Sequence, residues 1–271
     1  MKRDIPGGDV LCCYPHTGIN VQHSFMVSLM GVMNYDAANH TRLFTSDGPL
    51  MMRCGTSGLP DARNKAMRHF LDVATEEWLW FIDTDMGFTV DIVDRMVASA
   101  HPTERPVLGA LCFGLRMTDP DGHGGYFTEP FPTIYGWTDE GDSVGNPYGF
   151  RGVRDYPMNT RVRVAGTGTG CLLIHRSAGE KVRAEYGDVW FDPVKYPDGR
   201  FVSEDLSFCY RLGQVGIPVH VDTAIQTTHA KTFWLSERDW IAHRAIQDAL
   251  RAHTAGASAA PPANDETGMA V

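Results

Sequence analysis

The chain lacks the features that mark several large classes of protein. It has no run of Lys or Arg, and its formal net charge is −9 over 271 residues. This charge argues against a protein that holds a nucleic-acid backbone by bulk electrostatics, so nucleic acid is not an expected partner. No stretch approaches the roughly 18 apolar residues of a membrane span, and no apolar signal core follows the first residues. We therefore expect no membrane partner and a cytoplasmic location.

The chain also lacks paired cysteines. Its six cysteines form no C-x-x-C motif, the spacing typical of zinc sites and redox centres. Most of them lie inside apolar runs, as at residues 10–13 and 111–113. Buried, reduced thiols are therefore expected, rather than a disulfide framework or a zinc site.

The first half of the chain alternates short apolar runs with segments of helical periodicity. This pattern predicts strands at 10–14, 42–46, 78–82 and 107–113, and helices at 21–33, 60–78 and 90–100. Strands that alternate with helices in this way predict an α/β fold, with a Rossmann-like, mostly parallel sheet flanked by helices in a single domain.

The second half begins with residues 116–160, a stretch dense in Gly, Pro, Asp and aromatic side chains. A loop of this length is usually functional or ordered by its own side chains. Regular structure is then predicted as strands at 162–165, 171–175 and 218–222, and as helices at 177–186, 203–215 and 236–253. The composition of residues 254–271 predicts a disordered tail.

Asp83-Thr84-Asp85 directly follows the most apolar predicted strand. In open parallel sheets, ligands bind just beyond the carboxyl ends of the strands. Two carboxylates one residue apart offer oxygen ligands to Mg²⁺ or Mn²⁺, and a diphosphate would complete the coordination. A second Asp-x-Asp motif, at residues 119–121, is followed by Gly and is interpreted as an ordinary turn.

Two further segments have both a functional and an ordinary interpretation. Arg63 and Lys65 lie in the first turns of the predicted helix 60–78, where they form a solvated face or a diphosphate neighbour. The run from Gly166 to Gly170 precedes a predicted strand, whereas a dinucleotide fingerprint opens a helix. We interpret it as a loop whose backbone closely approaches a ligand.

Two acidic residues and a late histidine are the remaining candidates. Glu204 and Asp205 follow Ser203 at a predicted helix start, where taken alone Ser is the cap and the acids complement the helix dipole. His229 follows the strand predicted at 218–222, and a lone histidine is most often structural.

Taken in order, these segments resemble the GT-A glycosyltransferases, in particular the family 2-like group. The resemblance covers roughly residues 10–240, and it rests on order and spacing rather than on any one motif. The segments in question are a strand ending in Pro15, Ala62-Arg63-Asn64, Asp83-Thr84-Asp85, the Gly-rich run, Glu204-Asp205 and His229.

The resemblance implies a GT-A-like domain over residues 1–253, with a nucleotide-sugar-binding half at 10–115 and an acceptor-binding half at 116–253. The residues expected to contact the nucleotide-sugar are Pro15, His16, Arg63, Asp83, Thr84, Asp85 and Gly168.

The resemblance also implies chemical roles. Asp85, Asp83 and His229 would hold Mn²⁺ (or Mg²⁺). Asp205 would be the base of an inverting displacement, with Glu204 supporting the acceptor.

The implied activity is metal-dependent transfer of a sugar from a nucleoside-diphosphate sugar to a hydroxyl of a protein or glycan acceptor. The Gln-x-x-Arg-Trp motif of processive family 2 synthases is absent, which favours a non-processive enzyme. The short form is also similar to transferases encoded by bacteriophages, which would act in the host cytoplasm. The alternatives are a nucleotidyltransferase acting on a sugar phosphate, a phosphoester metallohydrolase, and a non-catalytic carbohydrate-binding protein.

Overall fold

The computed structural model describes residues 9–39, 42–43, 49–118, 127–139, 148–232, 235 and 237–258. The helices are α1 (His23–Asn39), α2 (Gly58–Asp72), α3 (Ile92–Ser99), α4 (Arg176–Tyr186), α5 (Glu204–Gln214) and α6 (Glu237–Ser258). The strands are β1 (Val10–His16), β2 (Leu50–Arg53), β3 (Trp78–Ile82), β4 (Met86–Gly87), β5 (Val107–Leu111), β6 (Phe113–Thr118), β7 (Phe127–Pro132), β8 (Ile134–Thr138), β9 (Gly149–Gly152), β10 (Arg161–Val164), β11 (Gly166–Thr167), β12 (Cys171–His175), β13 (Val219–Gln226) and β14 (Thr228–His229).

A seven-stranded sheet in the order β10-β13-β5-β12-β3-β1-β2 forms the centre of the larger of two compact units, residues 1–115 with 130–231. Strand β1 pairs in parallel with β2 and β3, and β13 pairs in parallel with β5. Strands β12 and β10 run in the opposite direction. The α/β class with a mostly parallel sheet is therefore confirmed, and the carboxyl ends of β1, β3, β5 and β13 share one edge.

Helices cover both faces of this sheet. Helices α1 and α3 pack on one face, and α2, α4 and α5 pack on the other. Every residue of β3 and β5 is buried, as the unbroken apolar run at 78–82 predicted.

The strand predicted at 42–46 is not seen at its first two residues, and residues 44–46 lie outside the described part of the chain. The described edge strand is β2, which begins at Leu50. The Arg42 guanidinium binds Asp9 at 2.7 Å and Asp94 at 2.8 Å. The Arg42 amide also donates to Asp36, so a segment with strand-like composition serves as a cross-link between elements.

The stretch 116–160 is more regular than a long loop. Strands β8, β9 and β11 form a three-stranded sheet, in which Trp137 lies across from Phe150. The Trp137 ring also contacts Tyr148, Tyr196 and Tyr210 edge-on or tilted, so side chains order this region. The second Asp-x-Asp motif, at 119–121, lies outside the described residues.

The smaller unit comprises residues 116–129 and 232–271. In it, Arg116 forms an ion pair with Glu129, and α6 continues five residues beyond position 253 to Ser258. Residues 259–271 of the predicted tail lie outside the described part. No helix within the described ranges is long and apolar enough to cross a membrane.

The cysteine prediction is confirmed. All six cysteines are free, and five of them are buried while Cys54 is half-buried. Burial raises the pKa of the Cys12, Cys112 and Cys209 thiols to about 12, which keeps them protonated and unreactive.

Candidate functional site

The Asp-x-Asp motif lies where the fold argument placed it, at the carboxyl end of the central strand β3. The Asp83 amide donates to the Gly170 carbonyl at 3.0 Å, and the Met86 amide donates back to the Asp83 carbonyl at 3.2 Å. This tight turn leads directly into β4. The Thr84 carbonyl accepts from the Gln22 amide at 3.0 Å, which fixes the middle of the motif by its backbone.

Arg63 lies beneath this turn rather than at the surface. Its side chain is 2% exposed, and Nη2 donates to Asp83 Oδ1 at 2.9 Å and Oδ2 at 3.2 Å. Its Nη1 donates to Glu204 Oε1 at 2.9 Å. Burial opposes the charge, but Asp83 and Glu204 raise the pKa of the guanidinium above its usual value. Arg63 thus joins two acidic segments that are far apart in the sequence.

We expect Arg63→Met to destabilise the protein by roughly 3 kcal/mol, because removing one partner leaves two neighbouring carboxylates without their counter-charge. Thermal unfolding should show Tm falling by several degrees. The matched control is Lys65→Met two residues along the same helix. Lys65 is 53% exposed and pairs only with Asp61. An equal loss of stability in both variants would contradict the bridging role.

His229 meets Asp85 because β14 pairs with β4 in the antiparallel sense, with His229 opposite Met86. The Ala230 amide donates to the Asp85 carbonyl at 2.8 Å, which locks the two segments together. His229 Nε2 lies 3.0 Å from Asp85 Oδ2, and Nδ1 lies 2.7 Å from the Phe113 carbonyl oxygen. A pair separated by 144 positions in sequence is therefore brought into contact.

A lysine that the sequence argument missed joins this pair. Lys231 Nζ donates to Asp85 Oδ2 at 2.9 Å. Burial alone would raise the pKa of Asp85, but the hydrogen bonds from His229 and Lys231 lower it to about 2. Burial lowers the pKa of His229, and the contacts with Asp85 and the Phe113 carbonyl more than reverse this, so the net shift is upward. Both partners of the imidazole are oxygen atoms that accept hydrogen bonds, which favours the protonated ring, in line with the upward shift of its pKa.

Asp205 lies in the first turn of α5, and its two carboxylate oxygens have different neighbours. Oδ1 accepts from the Leu206 amide at 2.8 Å and from the Ser203 hydroxyl. Ser203 is the N-cap residue of α5, as predicted, but its hydroxyl donates to Asp205 and makes no capping hydrogen bond to the backbone. Within the described part of the chain no hydrogen bond reaches Asp205 Oδ2, which lies beside Gly168.

The Gly-rich run faces the carboxylates with bare backbone. A Cβ built on Gly168 would lie 3.5 Å from Asp205 Oδ2, and one on Gly170 would lie 3.7 Å from Asp83 Oδ2. Gly166, by contrast, packs under Phe150 and Leu206, where a Cβ would come within 2.9 Å of both side chains. Gly168 and Gly170 therefore keep open the space between the Asp83 turn and α5.

Pro15 and His16 end β1 at the same edge. Strand β1 pairs in parallel with β3 up to Cys13 and Phe81, so Pro15 and His16 at the end of β1 lie at the edge where β3 ends. Pro15 is buried and His16 is half-buried. The structure thus brings every predicted site residue to one edge of the sheet, but it buries Arg63 beneath the site.

The carboxylates and the histidine at this edge of the sheet are the side chains that a divalent ion would need as ligands. Among the residues that the structure describes, no group of three or more His, Cys, Asp or Glu side chains is arranged to hold a metal. Asp85 Oδ2 and His229 Nε2 are nevertheless 3.0 Å apart, about the spacing of adjacent ligands with ~2.1 Å bonds to an octahedral ion. The Phe113 carbonyl holds Nδ1–H, as backbone carbonyls often do for metal-binding histidines. Asp85 and His229 would therefore supply two donors to a divalent ion, while Asp83 is engaged with Arg63.

Comparison with known proteins supports the fold. No protein-family model and no curated protein matches the chain. A crystal structure of GalNAc-T7 with UDP, GalNAc and Mn²⁺ is similar at a TM-score of 0.51 and 12% sequence identity. That likeness covers 83% of this chain and 43% of GalNAc-T7. The crystal structure of A197 from STIV has a TM-score of 0.42 at 15% identity, over 82% of this chain and 86% of A197.

The likeness to GalNAc-T7 is one of fold alone, because the sequences are so distant. With the sheet order and the helices on both faces, it identifies the architecture as GT-A-like. The chain spans less than half of the GalNAc-T7 chain.

Proposed function

We propose that this protein is a metal-dependent glycosyltransferase that moves a sugar from a nucleoside-diphosphate sugar to a hydroxyl of a protein or glycan acceptor. The observation that supports this most is the contact between Asp85 and His229 at the carboxyl edge of a GT-A-like sheet, the edge at which Asp205 Oδ2 also lies beside the bare Gly168 backbone. GalNAc-T7 was crystallised with UDP and Mn²⁺, and we extend both ligand classes to this protein as part of the proposal.

Asp85 and His229 would hold Mn²⁺ (or Mg²⁺), the mixed oxygen and nitrogen donor set favouring Mn²⁺. The chemistry that such an ion supplies is Lewis-acid stabilisation of negative charge on the departing diphosphate. Asp83 has both oxygens directed at Arg63, so it would act by position, next to the ribose or the ion. Strands β1 and β3 are paired, and the residues that follow or end them would border the nucleotide. These residues are Pro15, His16 and Thr84.

Asp205 would be the general base. Its Oδ1 is held by Ser203 and the Leu206 amide, so Oδ2 is the oxygen that would take the proton from the attacking hydroxyl. Glu204 would support the acceptor while Arg63 fixes its direction. In this proposal Arg63 is a positioning residue, because a 2% exposed side chain offers no surface to a nucleotide.

The aromatic side chains of β8 and β9 are candidates for acceptor contact. Trp137, Phe150 and Tyr210 line a cavity of about 400 Å³. Its other walls include the end of α5 and the start of β13, so the cavity lies toward the opposite end of α5 from Asp205. Flat rings suit the apolar faces of sugars. The assignment of 10–115 to the donor and 116–253 to the acceptor stays a prediction, as do the family 2-like, bacteriophage and cytoplasmic assignments.

Gly168→Ala tests the open space directly. Its backbone is not in the left-handed region and a Cβ would make only ordinary contacts, so the variant should fold with Tm unchanged or slightly raised. The added methyl group would occupy the gap beside Asp205 Oδ2 and lower kcat/KM by about tenfold or more.

The control for this variant is Gly152→Ala in β9, where a Cβ meets nothing within 4 Å. Steady-state kinetics and thermal melts on both variants provide the comparison. Equal activity of the two variants at equal stability would show that the Gly168 gap is not used by the substrate.

The proposed function is tested by titrating UDP, GDP, CDP and dTDP by calorimetry, each with and without Mn²⁺. One nucleotide should bind markedly tighter with the ion. Incubation with the matching sugar nucleotide and an acceptor mixture should then release the diphosphate. Release of pyrophosphate from a nucleoside triphosphate would identify a nucleotidyltransferase, and sugar binding without metal or nucleotide a carbohydrate-binding protein.

A further inference from the structure

Lys231 forms an ion pair with Asp85, one of the two candidate metal ligands. Its Nζ is 2.9 Å from Asp85 Oδ2, the same oxygen that faces His229 Nε2 at 3.0 Å. The backbone is held next to this contact, because the Ala230 amide donates to the Asp85 carbonyl. The Lys231 side chain is 40% exposed, so the ammonium sits at the rim of the site and not in the core.

The contact matters because a carboxylate oxygen offers about two acceptor positions. At Asp85 Oδ2, His229 Nε2 lies at one position and the Lys231 ammonium at the other. A divalent ion shared between Asp85 Oδ2 and His229 Nε2 must therefore displace the Lys231 ammonium. The neighbouring carboxylate of Asp83 is directed at Arg63, so it does not offer the lysine an equivalent partner.

We propose that Lys231 competes with the divalent ion for Asp85 and, once displaced, binds a phosphate oxygen of the donor. This inference rests on the proposed function, because it assigns a further residue to the same site. The ammonium is a compact cation on a flexible four-carbon stem, which suits a short transfer between two anions at the rim of one site.

The proposal has a thermodynamic consequence. Ion binding alone must break the Lys231–Asp85 pair, whereas ion binding with a diphosphate gives the ammonium a new partner. The two ligands therefore bind with positive coupling, and linkage requires each to raise the affinity for the other by the same factor. Lys231 contributes to this coupling beyond the direct contact between ion and phosphate.

The test compares Lys231→Gln with Lys231→Arg in the full chain, by titrating Mn²⁺ alone and following the free ion by electron paramagnetic resonance. Without the competing cation, Lys231→Gln should bind Mn²⁺ about tenfold more tightly than the wild type, a difference of about 1.4 kcal/mol. In calorimetry at saturating Mn²⁺, the same variant should bind UDP several-fold more weakly. Lys231→Arg keeps the charge and should retain UDP affinity near wild type.

Opposite changes in the two affinities are the signature of this role, because a general structural defect would weaken both. Lys181→Gln on α4 serves as a control for loss of an exposed lysine and should change neither affinity. Unchanged or weaker Mn²⁺ binding by Lys231→Gln would overturn the competition, and unchanged UDP binding would overturn the phosphate contact. Failure of the wild type to bind any nucleotide with Mn²⁺ would instead refute the proposed function, while a gain in Mn²⁺ affinity would still report the displaced lysine.

Discussion

Asp205→Asn is expected to lower kcat by about 100- to 10,000-fold, the range attributed to a general base. Donor affinity should stay near the wild-type value, because a base acts in the transition state and not in nucleotide binding. The amide keeps the size of the side chain and can still accept at one oxygen from the Leu206 amide, so the start of α5 should persist. Single-turnover kinetics with saturating donor would separate the chemical step from binding.

The matched control is Asp61→Asn, which removes an acid from the first turn of another helix. Both variants lose a charge that complements a helix dipole, but only one loses the proposed base. A lower Tm with normal turnover in Asp205→Asn would mean that this aspartate serves the helix and that the base lies elsewhere.

Asp85→Ala should abolish the Mn²⁺-dependent part of nucleotide binding, a loss of more than about 100-fold, because it removes one of only two protein donors that the site offers. The fold should remain, because Asp85 is half-buried and lies beyond the end of β3. Far-ultraviolet circular dichroism and a nucleotide titration with and without Mn²⁺ are the measurements.

The control for Asp85→Ala is Asp119→Ala, which alters the second Asp-x-Asp motif, and it should bind nucleotide as the wild type does. If the two variants behave alike, the position of a motif at a strand end has no bearing on its role, and the argument from the sheet edge fails.

The sequence predicts correctly those strands and helices that are encoded by local patterns of apolar residues. The unbroken apolar run at 78–82 predicted a strand covered on both faces, and β3 is buried throughout. The rule that ligands gather at the carboxyl ends of parallel strands predicted a site at Asp83, and Asp83 directly follows β3. Helices α4 and α5 also begin and end within one residue of their predicted limits.

The features that the sequence did not predict depend on contacts between distant segments. Arg63 looked like a solvated or phosphate-facing residue, since nothing within its helix indicates that Asp83 and Glu204 will surround it. Lys231 carried no motif at all, and its role follows only from the pairing of β14 with β4. The direction of β12 was equally hidden, because an apolar run such as Cys171–His175 packs well in a sheet whichever way it points.

The antiparallel direction of β12 determines how the Gly-rich run is held beside the Asp-x-Asp turn. Since β12 runs against β3, its first residue and not its last stands at the edge where β3 ends, and Cys171 is level with Ile82. The glycines therefore enter the site from the middle of the sheet and are tied to the Asp-x-Asp turn by the bond from the Asp83 amide to Gly170. The position of Gly170 beside Asp83 is thus fixed by a hydrogen bond that continues the pairing of β12 with β3. If the proposed function holds, acceptor preference would change through substitutions around β8 and β9 while the gap beside Gly170 keeps its width.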